Sequence, residues 1–76
     1  MLISDLILLS RRKAGLSQED VAREIGTNRA TVSCWETGQR VPSLSNFAAL
    51  RIVFDWPNKT VINMLAVLSG EKHEDT

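Results

Sequence analysis

Few residues in this 76-residue chain could take part in a chemical step. The chain has one histidine, His73, in a polar C-terminal stretch, and one cysteine, Cys34. These two residues provide no zinc-ligand spacing and no nucleophile beside a base, and the sequence contains no glycine-rich phosphate loop. A lone thiol also fits a reducing compartment, because it cannot form a disulfide within the chain. We therefore expect no enzyme, no metal site and no cofactor.

Charged and amide side chains offer a different chemistry, because long hydrogen-bond donors can contact the phosphates and base edges of nucleic acid. The formal net charge is zero, so only the distribution of charge is informative. Basic residues exceed acidic ones between positions 11 and 40, whereas Glu71, Glu74 and Asp75 crowd the C-terminus. The mildly basic region favours nucleic acid, although the solvated faces of ordinary helices carry similar charges.

The elements that must position these side chains are helices. Apolar residues recur at spacings of three and four and no stretch alternates with period two, so the sequence predicts an all-α fold. Five helices are expected, over residues 2–14, 18–25, 29–36, 44–54 and 57–68. Ser17, Asn28 and Ser43 are suitable N-caps, and Gly15 and Gly26 are suitable stops. Residues 1–70 would form one domain, followed by a disordered polar tail over 71–76.

The second and third predicted helices are joined by only three residues, which is too short for an antiparallel pair and predicts a steep crossing. That packing requires inward apolar side chains, a small residue at the close approach and a glycine in the turn. The sequence meets these requirements with Val21, Ala22, Ile25, Gly26, Val32 and Trp35. Trp35 could instead stack on a base, but its spacing from Val32 favours the core. The pattern therefore predicts a helix-turn-helix over residues 18–37.

The segment GLSQEDVAREIGTNRATVSCWETGQRVPSL closely resembles the lambda repressor and Cro class of regulators, often called the XRE family. The resemblance covers residues 11–54. It is carried by the combination of Leu16, Ser17, Gln18, Ala22, Gly26, Val32, Trp35, Glu36, Gly38, Pro42 and Ser43. It implies a compact five-helix, lambda-repressor-like domain whose third helix enters the major groove of DNA.

The resemblance also implies which residues contact bases, namely Arg29, Ala30, Thr31 and Cys34. Arg29 is the only long donor among them and could bind guanine O6 and N7 together. The other three offer short contacts, for which the thymine methyl is the natural target. Two simpler interpretations stay open, a solvated Arg29 and a Thr31 that only caps its helix.

Phosphate contacts are implied for Gln18, Asn28, Arg11, Arg40 and the backbone amides around Gln39. Gln18 begins a helix whose outward amides and dipole suit an anion, although glutamine is also an ordinary helix former. Arg11 has a second implied role, because the family pairs an arginine here with a glutamate at the position of Glu36. As a surface ion pair this contact is expected to orient the helices and to contribute only about 0–1 kcal/mol.

Three features depart from the family pattern. Ser10 stands where a core leucine is usual, and Arg51 where a small residue is usual, so we expect the packing around both to differ in detail from that of the family. Residues 54–57 replace the usual glycine after the fourth helix, and Trp56 is expected to anchor that turn.

The predicted fifth helix carries apolar residues on more faces than one small core can bury. A 76-residue domain is only marginally stable alone, which favours a second copy as the partner. The dimer interface is expected at Val61, Ile62, Met64, Leu65 and Leu68. Alternatively, the tail and the first helix bury this helix within one chain.

These inferences predict a cytoplasmic regulator, bacterial or phage-encoded, that binds a near-palindromic double-stranded DNA operator as a homodimer. It would be of the repressor, Cro or restriction-modification controller type, with no small-molecule ligand and no membrane partner. The competing hypothesis is an antitoxin or antirepressor whose helix-turn-helix packs against a protein. The neutral net charge and the short side chains of Ala30 and Cys34 keep that hypothesis open.

Overall fold

The computed structural model describes residues 2–57, which form four α-helices and contain no strand in that range. They are α1 (Ile3–Ala14), α2 (Gln18–Ile25), α3 (Arg29–Glu36) and α4 (Leu44–Phe54). The all-α prediction is confirmed for this range. Residues 58–68 of the predicted fifth helix and the predicted tail lie outside the described residues, so the five-helix count stays a prediction. None of the described helices is long and apolar enough to cross a membrane.

Local side-chain hydrogen bonds explain where the helices begin. Ser17 and Asp20 form a complete capping box at α2, with each side chain bonded to the other's backbone N–H at 2.9 Å. The backbone bond and the hydroxyl bond from Ser17 lower the pKa of Asp20. Asn28 caps α3 and Ser43 caps α4, as the sequence predicts. In contrast, α1 begins at Ile3 rather than Leu2, which is an N-cap without a side-chain bond.

The core lies where the four helices meet. Its buried side chains are Ile3, Ile7, Val21, Ala22, Val32, Trp35, Phe47, Leu50 and Trp56. The inward positions predicted for the helix-turn-helix are thus largely confirmed, with Ile25 only half-buried against this core. Ala14, in the last turn of α1, is exposed and does not join this core.

Asp55 and Trp56 form the turn after α4, where the family usually has a glycine. Asp55 takes the left-handed conformation there, with φ 54°, and its N–H bonds back to the helix. Trp56 then turns inward and contacts the rings of Phe47 and Phe54 at centroid distances of 5.4 and 5.8 Å. Its indole N–H donates to the Ser10 hydroxyl at 2.9 Å. The anchoring role predicted for Trp56 is confirmed. The same bond accounts for a polar residue at position 10, because the Ser10 hydroxyl accepts the indole N–H.

Candidate nucleic-acid interface

The turn between α2 and α3 positions the candidate reading helix. Gly26 adopts φ 79°, a conformation in which a side chain would be strained, and Thr27 donates its N–H to the Ala22 carbonyl at 2.8 Å. Ala22 is buried within the helix-turn-helix, and Val32 and Trp35 bury the inner side of α3. The opposite side of α3 therefore faces outward.

None of the four residues predicted to contact bases is buried. Arg29 and Ala30 are exposed, whereas Thr31 and Cys34 are half-buried. This outward surface, Arg29, Ala30, Thr31 and Cys34, is called the reading surface below. It combines one long guanidinium donor with three short side chains.

Two polar groups of the reading surface are already bonded to protein. The Thr31 hydroxyl donates to Asn28 Oδ1 at 3.0 Å, and the same oxygen accepts the Thr31 N–H at 2.9 Å. The Cys34 thiol donates to Gln39 Oε1 at 3.7 Å, the longer distance normal for sulfur. Thr31 is thus part of the helix cap, and its methyl group is the part left to make other contacts.

Behind the reading surface, Arg11 and Glu36 form a two-point ion pair. Arg11 Nε donates to Glu36 Oε2 at 2.6 Å and Arg11 Nη2 donates to Oε1 at 3.0 Å. The expectation of a surface pair is wrong, since the exposed fractions of the two side chains are only 14% and 4%. Burial raises the pKa of Glu36, but the hydrogen bonds from Arg11 and then Gln18 outweigh it and leave that pKa lowered. The bond to Glu36 raises the pKa of Arg11.

The ion pair continues into a chain of hydrogen bonds that ends at the reading surface. Gln18 Nε2 donates to Glu36 Oε1 at 3.0 Å, and Arg29 Nη1 donates to Gln18 Oε1 at 3.2 Å. Sequence reasoning missed this connection. The only indication in the sequence was that Gln18 and Arg29 are the first residues of two helices joined by a short turn.

The groups predicted to contact phosphate lie in four different surroundings. The Arg11 guanidinium is turned inward, because its remaining terminal nitrogen donates to the Leu16 carbonyl at 2.9 Å. The backbone N–H groups of Gln39 and Arg40 both donate to the Cys34 carbonyl, so they close α3 instead of facing outward. The side chains of Asn28, Gln39 and Arg40 belong to exposed residues. Gln18 presents the first N–H of α2, which has no partner within the helix.

Comparison with known proteins bears on the same region. A family model described as helix-turn-helix, of the XRE type, matches residues 7–55, which is more than half of the chain. The match includes α2, α3 and α4, and therefore the whole reading surface. No curated protein matches the chain.

Proposed function

Because this chain belongs to the XRE-type helix-turn-helix family of DNA-binding regulators, we propose that it reads a specific double-stranded DNA sequence with α3. The observation that carries this proposal is the reading surface. An exposed arginine stands at the N-terminal end of α3, and the short side chains beside it leave space for base edges. In helix-turn-helix complexes this end of the second helix of the motif contacts the bases.

Each candidate residue has one proposed role. Arg29 binds a guanine, while Ala30, the Thr31 methyl group and Cys34 contact thymine methyls. Phosphates are bound by the backbone N–H of Gln18 and by the side chains of Asn28, Gln39 and Arg40, which position α3 without carrying sequence information. Arg11 holds Glu36 rather than a phosphate, because its guanidinium is already bonded within the protein.

The regulator is proposed to act as a homodimer on a near-palindromic operator, as a repressor, Cro or controller protein without a small-molecule ligand. Exposed Leu2, Leu9 and Ile52 support the need for a partner. The proposed interface lies beyond the described residues, at Val61, Ile62, Met64, Leu65 and Leu68. Two-fold symmetry would place the half-site centres about 34–36 Å apart, one turn of DNA.

Selection from random duplex DNA at low salt tests the reading function. The protein should enrich one sequence family, and Arg29→Met should lose about 1–3 kcal/mol of discrimination at one base pair. Arg23→Met is a matched control, because Arg23 is an exposed arginine that pairs with Asp20 on α2. A protein that enriches no sequence, but binds another protein through α3, would be the antitoxin or antirepressor type instead.

Sedimentation at micromolar concentration tests the dimer. The expected species is a dimer, and Leu65→Glu should give a folded monomer that binds DNA weakly or an unfolded chain, since folding and dimerisation can be linked. Leu65→Met is the control that keeps the interface apolar. A monomer that binds the selected operator with one copy per site would contradict the model.

A further inference from the structure

A groove of about 250 Å³ lies where the start of α1 meets the turn after α3. It is lined mainly by apolar residues, among them Leu2, Ile3, Trp35 and Val41. Ile3 and Trp35 belong to the buried core, so core packing holds this part of the groove in place. Leu2 and Val41, in contrast, are 68% and 63% exposed. The groove therefore presents apolar surface that a further segment or partner could cover.

The charge of the groove restricts what can bind there. Among residues 2–57, Arg40 is the one charged side chain in its lining. Arg40 is exposed, and its guanidinium has no hydrogen-bond or ion-pair partner within those residues. A guanidinium stays charged at any ordinary pH and matches the geometry of a carboxylate or a phosphate. The fitting occupant thus combines an apolar side chain with a nearby carboxylate.

The sequence after Pro57 contains this combination. Residues 71–76 hold three acidic side chains and one lysine, and they follow the apolar run 61–68. Val67 belongs to that run but is not among the residues proposed for the dimer interface. It precedes Glu71 by four positions, so an apolar side chain and a carboxylate stand close together in the sequence.

This segment is long enough to reach the groove. Trp56 is bonded to Ser10, and Ser10 follows Ser4, a lining residue, by six positions on α1. At 1.5 Å per residue the two serines are about 9 Å apart along the helix, and crossing the full width of α1 adds at most about 10–12 Å. The ten residues from Pro57 to Val67 span up to about 33 Å when extended, which exceeds both distances together.

We propose that the groove binds the chain's own C-terminal segment. Val67 packs against the apolar lining, and Glu71 pairs with Arg40. The consequence for DNA rests on the proposed function, because Arg40 is one of the proposed phosphate contacts. A carboxylate on Arg40 competes with a DNA phosphate for the same guanidinium. The segment therefore lowers the affinity for any duplex DNA, while the reading surface alone decides the choice of bases.

A spin label tests where the segment binds. The label is attached to Thr76→Cys in the full chain, with Cys34→Ser so that one thiol remains, and the amide signals are measured by NMR without DNA. The signals of Gly38 and Val41 should be broadened. The signal of Glu24, an exposed residue of α2 that does not line the groove, should stay sharp. Groove signals that also stay sharp would overturn the proposal and leave the groove to another partner.

Two further measurements identify the contact. Arg40→Met should reduce the broadening, whereas Arg23→Met, which removes an exposed arginine of α2, should not. In a mixture of spin-labelled chains with separate 15N-labelled chains, the groove signals should stay sharp, because each groove holds the segment of its own chain. Broadening in the mixture would overturn that assignment in favour of a second copy.

DNA binding at low salt tests the competition. Replacing the three acidic residues of 71–76 by their amides should raise the affinity for scrambled DNA and for the selected operator alike, by about 2- to 5-fold. The matched control makes the same change of net charge at three exposed acids outside the groove, Asp5→Asn, Glu24→Gln and Asp55→Asn, and should raise affinity less. In an Arg40→Met background the two sets should have equal effects.

The outcomes separate this inference from the proposed function. Equal effects of the two sets in the unaltered background would show general charge repulsion and overturn the competition for Arg40. A segment found in the groove of a protein that enriches no DNA sequence would instead contradict the proposed function, while the docking of the segment would stand.

Discussion

Two neighbouring residues of α1 make polar contacts with two different parts of the described domain. Arg11 reaches Glu36 at the end of α3, and through Gln18 it is connected to the reading surface. Ser10 reaches Trp56 in the turn after α4. The same helix thus supports both the proposed DNA-reading end and the start of the proposed dimer segment.

The two contacts differ in the group that is left unpaired when one partner is removed. Removing Arg11 leaves a carboxylate in a site with 4% exposure, and an uncompensated charge there is costly. Removing the Ser10 hydroxyl leaves one neutral N–H without its partner, while the Trp56 ring keeps its contacts with Phe47 and Phe54. We therefore expect the ionic contact to contribute more to stability than the neutral contact, because packing against Phe47 and Phe54 already holds the Trp56 ring.

The largest expected effect is that of Arg11→Met. It should lower the free energy of unfolding by about 2–4 kcal/mol, because Glu36 loses its counter-charge and two hydrogen bonds. Urea denaturation at one protein concentration measures this loss. Adding Glu36→Leu should recover part of it, since an apolar pair avoids the buried charge. A double variant less stable than Arg11→Met alone would show that the carboxylate contributes mainly through Gln18.

A smaller effect is expected from Ser10→Ala. The loss of the bond to the Trp56 indole should cost about 1 kcal/mol, the usual net contribution of a neutral hydrogen bond. The fluorescence of the two tryptophans should stay that of buried indoles, since Trp35 and Trp56 are both buried. Ser10→Thr is the control that keeps a hydroxyl. A loss as large as that of Arg11→Met would remove the contrast between the two contacts.

The smallest effect concerns pH. The pKa of Glu36 is lowered on folding, so its contribution to stability is complete above the unfolded value of about 4.3 and is lost as pH falls through the folded value. Stability should therefore fall in acid, and the fall should be shallower in Arg11→Met, where the pKa of Glu36 is no longer held down by its partner. Ser10→Ala should keep the slope of the unaltered protein. Equal slopes in all three proteins would contradict the role given to the ion pair.

The local architecture was determined by the sequence alone. Ser17 with Asp20, and Asn28 with Thr31, make their bonds three residues apart, so residue type and spacing were enough to predict where α2 and α3 begin. Periodicity likewise predicted which side of α3 faces the core, because Val32 and Trp35 share one side of a helix. The identification of the family followed from the same local pattern.

Only the tertiary structure decided how the polar residues are used. The Arg11–Glu36 and Ser10–Trp56 contacts join residues 25 and 46 positions apart, and no local spacing reports the burial of such pairs. The inward orientation of the Arg11 guanidinium and the hydrogen bond between Gln18 and Arg29 also depend on how the helices pack. Helix packing brings these groups within hydrogen-bond distance, and the low exposure of Arg11 and Glu36 leaves that pair few alternative partners. The orientation of the Gln18 amide is therefore a property of the folded domain rather than of the motif.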